Sequence, residues 1–336
     1  MTERALGRTG LTVSRIGLGL AAVGRPGYIN LGRANDLPRS RTPDALFRRT
    51  ADLLEAAREA GVRYVDVARS YGQAEEFLTR WLRDRGVPRD ALTVGSKWGY
   101  RYTGDWRVDA PVHEEKELSL PRFRTQLAET TALLGDRLDL YQIHSATAES
   151  GVFADAPLLR ALVAGRHAGT YRAVGLTLSG PTSARTLEIA LAARVDGERV
   201  FDTVQATFNV LEPSLAPVLE AAHAEGLGVI VKEALANGRL TAANTRAEDG
   251  RLLQTLRDVA AACGAGIDQV ALAFILERPW VDVVLSGAAT TAQLGSHVGA
   301  LGVALDGAAR GPLATLATLA EPPAAYWETR ASLPWS

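Results

Sequence analysis

Short runs of β-branched and apolar residues alternate along most of the chain with longer stretches whose apolar side chains recur every three or four positions. The first kind has the length of a strand buried on both faces, and the second has the period of an amphipathic helix. The candidate strands are IGLGL (16–20), RYVDVA (63–68), LTVGSK (92–97), LDLYQIH (138–144), YRAVGL (171–176), FDTVQA (201–206), GVIVK (228–232) and VDVVLS (281–286). Strand and helix in alternation predict a parallel sheet with crossover helices. Eight such units of about 35–40 residues fit an α/β (β/α)8 TIM barrel better than a doubly wound sheet. Three predicted helices end in a glycine just before a strand, at AGVRYV (60–65), AGTYRAV (168–174) and EGLGVIV (225–231). Glycine supplies the left-handed C-cap there without steric cost. No Pro/Ser-rich linker or composition break interrupts the pattern, so residues 1–336 read as one barrel domain.

Two irregular segments are long for a compact barrel: 21–43, rich in Gly, Pro and Arg, and 98–120, which carries Tyr100, Tyr102 and Trp106. Loops of that length usually have a function or lack order. Both follow strands, which places them at the C-terminal mouth, where the three aromatics are candidate substrate contacts and Arg25, Arg33 and Arg101 offer either a positive rim or solvent-facing charge. From Glu321 onward, Tyr326, Trp327 and Trp335 either cover that mouth or pack on an outer helix.

Composition narrows the class. A net charge of −1 with five scattered histidines gives no basic stripe for phosphates, so neither nucleic acid nor a membrane surface is an expected partner. The single cysteine, Cys263, excludes an intrachain disulfide and fits a reducing compartment. The N-terminus MTERALGRTG lacks an apolar segment, and cytoplasmic localisation is expected. No His/Asp/Glu set has metal-ligand spacing, and nothing like a heptad seam speaks to oligomeric state. Only Lys97, Lys116 and Lys232 are lysines in a chain whose other cationic side chains are arginine. A lysine in an apolar strand then raises the question of what arginine cannot do there; lysine has a compact charge and a tunable pKa.

Three consecutive predicted strands finish on an ionisable residue. Asp66 in YVDVA and Lys97 in VGSKWG would each cost several kcal/mol to bury alone, and as neighbours at adjacent strand ends they can satisfy each other. His144 ends the next strand, at the face where barrel enzymes place their sites. Tyr71 follows Asp66 by five residues, at the turn before a helix. A phenol with a pKa near ~10 is a poor acid at neutral pH, and a close lysine is expected to lower that value. The four together read as a site that protonates a carbonyl oxygen while hydride arrives at carbon, His144 orienting the oxygen. A structural salt bridge would explain neither Tyr71 nor His144.

With these residues in place the chain resembles the aldo-keto reductase family. ALGRTGLTVSRIGLG (5–19) is similar to that family's N-terminal hairpin, which plugs the barrel bottom, and its first barrel strand. GVRYVDVARSYGQAEEFL, SKWG and QIHS resemble its tetrad segments. The resemblance implies Tyr71 as general acid, Lys97 as modulator of its pKa, Asp66 as partner of Lys97 and His144 as the carbonyl-orienting residue. TVQATFNVLE implies that Gln205 holds a nicotinamide carboxamide, while the usual Ser-Asn pair appears as Thr177 and Leu178. VIVKEALANGRLT implies that Leu235, Asn237 and Gly238 lie along a dinucleotide, with Lys232 in place of the aromatic that stacks on nicotinamide. LSGAATTAQLGSH implies adenosine contacts from Gly287, Gln293 and His297, with Ala289 where an Arg or Lys usually selects NADPH. Family frequency favours NADPH narrowly; NADH is the alternative.

The implied function is NAD(P)H-dependent reduction of a small aldehyde or ketone. Two alternatives stand beside it: an NAD-dependent dehydrogenase of a sugar or other small alcohol, and a cofactor-binding regulatory subunit with little turnover.

Overall fold

Each of the eight runs becomes a strand: β1 (Ile16–Gly19), β2 (Tyr64–Asp66), β3 (Thr93–Trp98), β4 (Leu140–Ala146), β5 (Ala173–Leu178), β6 (Thr203–Thr207), β7 (Gly228–Lys232) and β8 (Val283–Ser286). In the computed structural model, which describes residues 3–336, they pair in parallel and in chain order as a closed barrel. β8 closes on β1 through Val284 opposite Ile16 and Ser286 opposite Leu18. Helices cover the outside, and the predicted C-cap glycines Gly61, Gly169 and Gly226 have φ of 79°, 70° and 93°.

The hairpin Glu3–Ala5 with Thr12–Ser14 closes the barrel bottom. Its Leu6, Leu11 and Val13 pack against the lowest inward side chains, Tyr64, Leu140, Ile230 and Val283. Gly7 is required at this contact, since a Cβ there would lie 2.3 Å from the Gly228 amide.

The mouth is built from the irregular segments. Within 21–43, Arg33 is fully buried and donates to the carbonyls of Ala22 (2.7 Å), Arg25 (2.7 Å), Pro26 (2.9 Å) and Ser336. Burial, with Arg41 and Arg25 nearby, brings its guanidinium down to about 9. It is a staple for loop carbonyls, not a rim charge. Residues 98–120 contain a hairpin, Tyr100–Tyr102 with Glu114–Lys116. The Trp106 indole donates to the Arg41 carbonyl at 2.7 Å, tying this segment to the first.

Both expectations for the C-terminal segment hold. On the helix Pro323–Ser332, Tyr326 and Trp327 pack into an outer cluster with the helices Gly250–Cys263 and Ile267–Leu276. Beyond it, Trp335 pairs with Ile29 in an antiparallel bridge and stacks on His113 at 3.9 Å. Tyr28 and Ser336 exchange backbone hydrogen bonds of 3.2 and 3.0 Å. Among the described residues no single helix is long and apolar enough to cross a membrane.

Candidate active site

The register of the first strands brings the four predicted residues to one place. Asp66 and Lys97 end β2 and β3, which pair with Asp66 opposite Gly95. Lys97 Nζ donates to Asp66 Oδ1 and to the Val67 carbonyl at 2.9 Å. Asp66 Oδ2 accepts from Gln205 Nε2 (2.8 Å), the Tyr64 hydroxyl (3.1 Å) and Gln142 Nε2 (3.4 Å). The buried pair is therefore surrounded by donors, as a charge out of water requires.

Tyr71 lies above the pair, with Lys97 Nζ 4.7 Å from its ring centroid, and its ring meets that of His144 edge-on at 5.6 Å. The expected lowering of the phenol pKa is not what this arrangement produces. Burial, followed by the charges of Asp66 and Glu114, pushes Tyr71 well above its ordinary value. The Lys97 ammonium is committed to Asp66 and Val67, so the pair offers the phenol almost no net charge. A phenol in this state holds its proton at neutral pH.

His144 owes its position to a bulge in β4. The pairing with β5 shifts between Ile143 and Ala146, and Ser145 has φ of 55°. The displaced Ser145 N–H donates to Thr177 Oγ1 at 2.7 Å, and the Ser145 carbonyl accepts from Lys116 Nζ at 2.6 Å. The imidazole is turned into the cavity, and its buried Nδ1 has no partner among the described residues. Burial, then the charges of Lys97, Lys232, Arg25 and Lys116, holds His144 well below its ordinary pKa. All three lysines of the chain thus face this histidine, which stays neutral near pH 7.

These residues open into a cavity of about 540 Å³, within the range of small-molecule and cofactor sites. It extends from Tyr71 and His144 past Gln205 and Lys232, along Leu235, Asn237 and Gly238, to Gly287, Gln293 and His297. Eight of the nine expected cofactor residues therefore line one continuous space. Thr177 does not: it is fully buried and braces the bulge, while Ser179 reaches the cavity instead. Of the expected substrate aromatics, Tyr100 lines the cavity 4.9 Å from the His144 ring. Tyr102 lies one pleat farther along its strand, and Trp106 faces Phe77 and Arg41, so neither reaches it.

The remaining walls come from Arg25 and Trp335, both candidates for the mouth in the sequence, and from residues that the sequence did not single out. Near Tyr71 and His144, Arg25, only 2% exposed, pairs with Glu114 at 2.7 Å, and Tyr28 and Trp335 add aromatic faces. Arg330 pairs with Glu233 at 2.7 Å. Burial alone would raise Glu233, but Arg330 and Lys232 outweigh it and hold the carboxyl at about 2. At the far end Asp36 and Asp268 line the cavity, Asp36 accepting from Gln293 at 2.9 Å. His297 shares a 2.7 Å hydrogen bond with Ser286, and burial pulls it down to about 4. Arg239 is committed to Asp249 and Glu321, and Arg49 to the carbonyls of Asp36 and Ala289.

Known proteins of the same build bear on this site. Over 87% of its length the chain is 28% identical to a D-threo-aldose 1-dehydrogenase of a Pseudomonas species, 91% of which is covered. It is 26% identical to an NADH-specific methylglyoxal reductase of Escherichia coli, with 92% and 96% of the two chains covered. Among solved structures, the holo form of an aldo-keto reductase from Bacillus halodurans superposes with a TM-score of 0.74 at 20% identity, covering 96% of this chain and 98% of its own, a likeness of fold. The family model for the aldo/keto reductase family matches residues 15–309, so the barrel, its tetrad strands and all of the cavity lining except Arg330, Ala331 and Trp335 fall inside the match, and the chain belongs to that family of oxidoreductases.

Proposed function

We propose that the protein is an NADH-dependent reductase of a small polar carbonyl compound, with Tyr71 as proton donor. The observation that carries this reading is the buried Asp66–Lys97 pair beneath a protonated Tyr71 and a neutral His144, both facing one cavity. NADH, when bound, supplies the hydride. Tyr71 gives its hydroxyl proton to the carbonyl oxygen as that oxygen becomes an alcohol, and His144 donates a hydrogen bond to the same oxygen. Asp66 and Lys97 act as positioning residues, fixing the floor under Tyr71. Gln205, its amide nitrogen held by Asp66, is placed to take the carboxamide of the cofactor.

Among the described residues, the far end of the cavity presents Asp36 and Asp268 and no free cation. A 2′-phosphate would meet two carboxylates there, whereas a ribose diol can donate to them. The proposal therefore takes NADH, the alternative in the sequence reading, over the NADPH that family frequency favours narrowly, and the name of the NADH-specific relative supports it.

A second reading is favoured by the substrate end, where Glu114, Glu233, Arg25 and Arg330 alternate donors and acceptors beside the aromatic faces of Tyr28 and Trp335. That chemistry suits a hydroxyl-rich compound, and oxidation of an aldose, as in the first relative, would use the same groups in reverse with Tyr71 as base. Titration with NADH and NADPH, then a panel of aldehydes, ketones and aldoses, tests both readings. NADH should bind at least tenfold more tightly than NADPH. Tyr71→Phe should lower turnover by about 10²–10⁴-fold with cofactor affinity unchanged. Full turnover in that variant would remove Tyr71 from the reaction.

A further inference from the structure

We infer that Lys232 biases this site toward the reduced cofactor, its ammonium opposing the positive charge that the nicotinamide ring carries only when oxidised. The inference rests on the nicotinamide reading above. The carbonyl oxygen belongs at Tyr71 and His144, and hydride transfer needs the donor carbon within about 3–3.5 Å of the carbonyl carbon. The other end of the dinucleotide belongs at Gly287 and His297. Lys232, at the end of β7, lines the same cavity as Tyr71, His144 and Gln205, and its charge acts on His144. A ring held against a carbonyl at Tyr71 and His144, with its carboxamide at Gln205, then has Lys232 as a neighbour.

The charges around this lysine are otherwise matched. Lys97 is spent on Asp66, Arg25 on Glu114 and Arg330 on Glu233, which it grips through two nitrogens at 2.8 and 2.7 Å. Lys232 Nζ donates to Thr207 Oγ1 at 3.0 Å, and its nearest carboxylate oxygen, Glu233 Oε1, is 3.8 Å away and already held by Arg330. The groups facing it are Thr207 from β6, Glu233 at the end of β7, Trp327 and Arg330 from the C-terminal helix, Asp66 and Lys97 from β2 and β3, and His144 from β4. Burial, opposed by Glu233 and reinforced by Arg330 and Lys97, brings Lys232 down to about 8. The amine is charged below that pH and neutral above it. His144 lies well below this range and Tyr71 well above it, so neither changes charge across it. Lys116 is also lowered, but it faces Ser145 and Tyr100, and its contribution survives in any Lys232 variant. An arginine at 232 would repel the oxidised ring at every pH, whereas lysine makes the repulsion titratable.

The test is the dissociation constant for NAD+ and for NADH, measured by calorimetry or quenching of tryptophan fluorescence from pH 6.5 to 9.5. The wild type, Lys232→Gln and Lys232→Arg are compared. In the wild type, NAD+ should bind about tenfold more tightly at pH 9 than at pH 7, as expected when a nearby like charge is removed, with NADH changing little. Lys232→Gln should show the tight NAD+ value at both pH values, and Lys232→Arg the weak one at both. A ratio of NAD+ to NADH affinity that is the same in the wild type and Lys232→Gln at pH 7 overturns the inference. Equal weakening of both forms in Lys232→Gln also overturns it, assigning the amine to the diphosphate. Failure of either nucleotide to bind any of the three proteins would overturn the proposed function as well.

Discussion

Asp66 carries the largest concentration of interactions in the site, and removing its partner has a foreseeable cost. Lys97→Met leaves a carboxylate buried beside the amides of Gln142 and Gln205 with its countercharge gone. Breaking such a pair from one side costs about 3–5 kcal/mol, whereas the double change Asp66→Asn with Lys97→Met should recover much of that stability. Denaturant midpoints of the single and double variants measure both, and additive losses would mean that the pair is not coupled. Asp66, Lys97 and His144 were legible in the sequence because an ionisable side chain at the end of an apolar run is conspicuous, and Tyr71 because it follows Asp66 at the turn before a helix. Asp36, Glu114, Asp268 and Arg330 were not, since each comes from a helix or from the mouth hairpin, where a charge is ordinary, and only the folded chain brings it to the cavity. The direction of the Tyr71 shift was misread for a related reason. Proximity of Lys97 to the phenol was foreseeable, but the commitment of its charge to Asp66 and the desolvation of the ring are properties of the packed site.

At the scale of elements, strands and their order followed from the alternation of patterns, while the two mouth segments had no period from which a conformation could be read. Their order comes from single polar anchors. Arg33 satisfies several loop carbonyls at once, so Arg33→Ala would orphan them while leaving the barrel ladder intact. Limited proteolysis within 21–43 should then accelerate at least tenfold, with cleavage elsewhere unchanged. Equal acceleration throughout the chain would show that the loop and barrel unfold as one unit. The bulge in β4 shows why Thr177 was placed wrongly from sequence. Its hydroxyl faces the neighbouring strand to receive the amide that the bulge frees, and a bulge leaves no mark in a run as apolar as LDLYQIH.

For the molecule as a whole, three histidines, His113, His144 and His297, have pKa values depressed first of all by burial. A depressed histidine contributes stability that is complete above its unfolded value of about 6.5 and is lost as the pH falls, because the unfolded chain takes up a proton that the folded one refuses. Global stability should therefore decline from about pH 6.5 downward. His297, pulled to about 4, should account for on the order of 2–3 kcal/mol of that loss. Denaturation of the wild type and His297→Gln between pH 7 and 4 checks this, and parallel pH profiles would count against it.

The bridge between Ile29 and Trp335 joins residues at nearly opposite ends of the described chain. During synthesis the strands bearing Asp66, Lys97 and His144 leave the ribosome long before position 335 exists, and closing so long a loop is entropically the most expensive contact to form early. Assembly is therefore ordered in time: the barrel can form first, and the wall of the cavity that carries Trp335 is added last. The cavity is thus finished by the last residues of the chain, and Arg330, Ala331 and Trp335 complete a wall begun by residues about three hundred positions earlier.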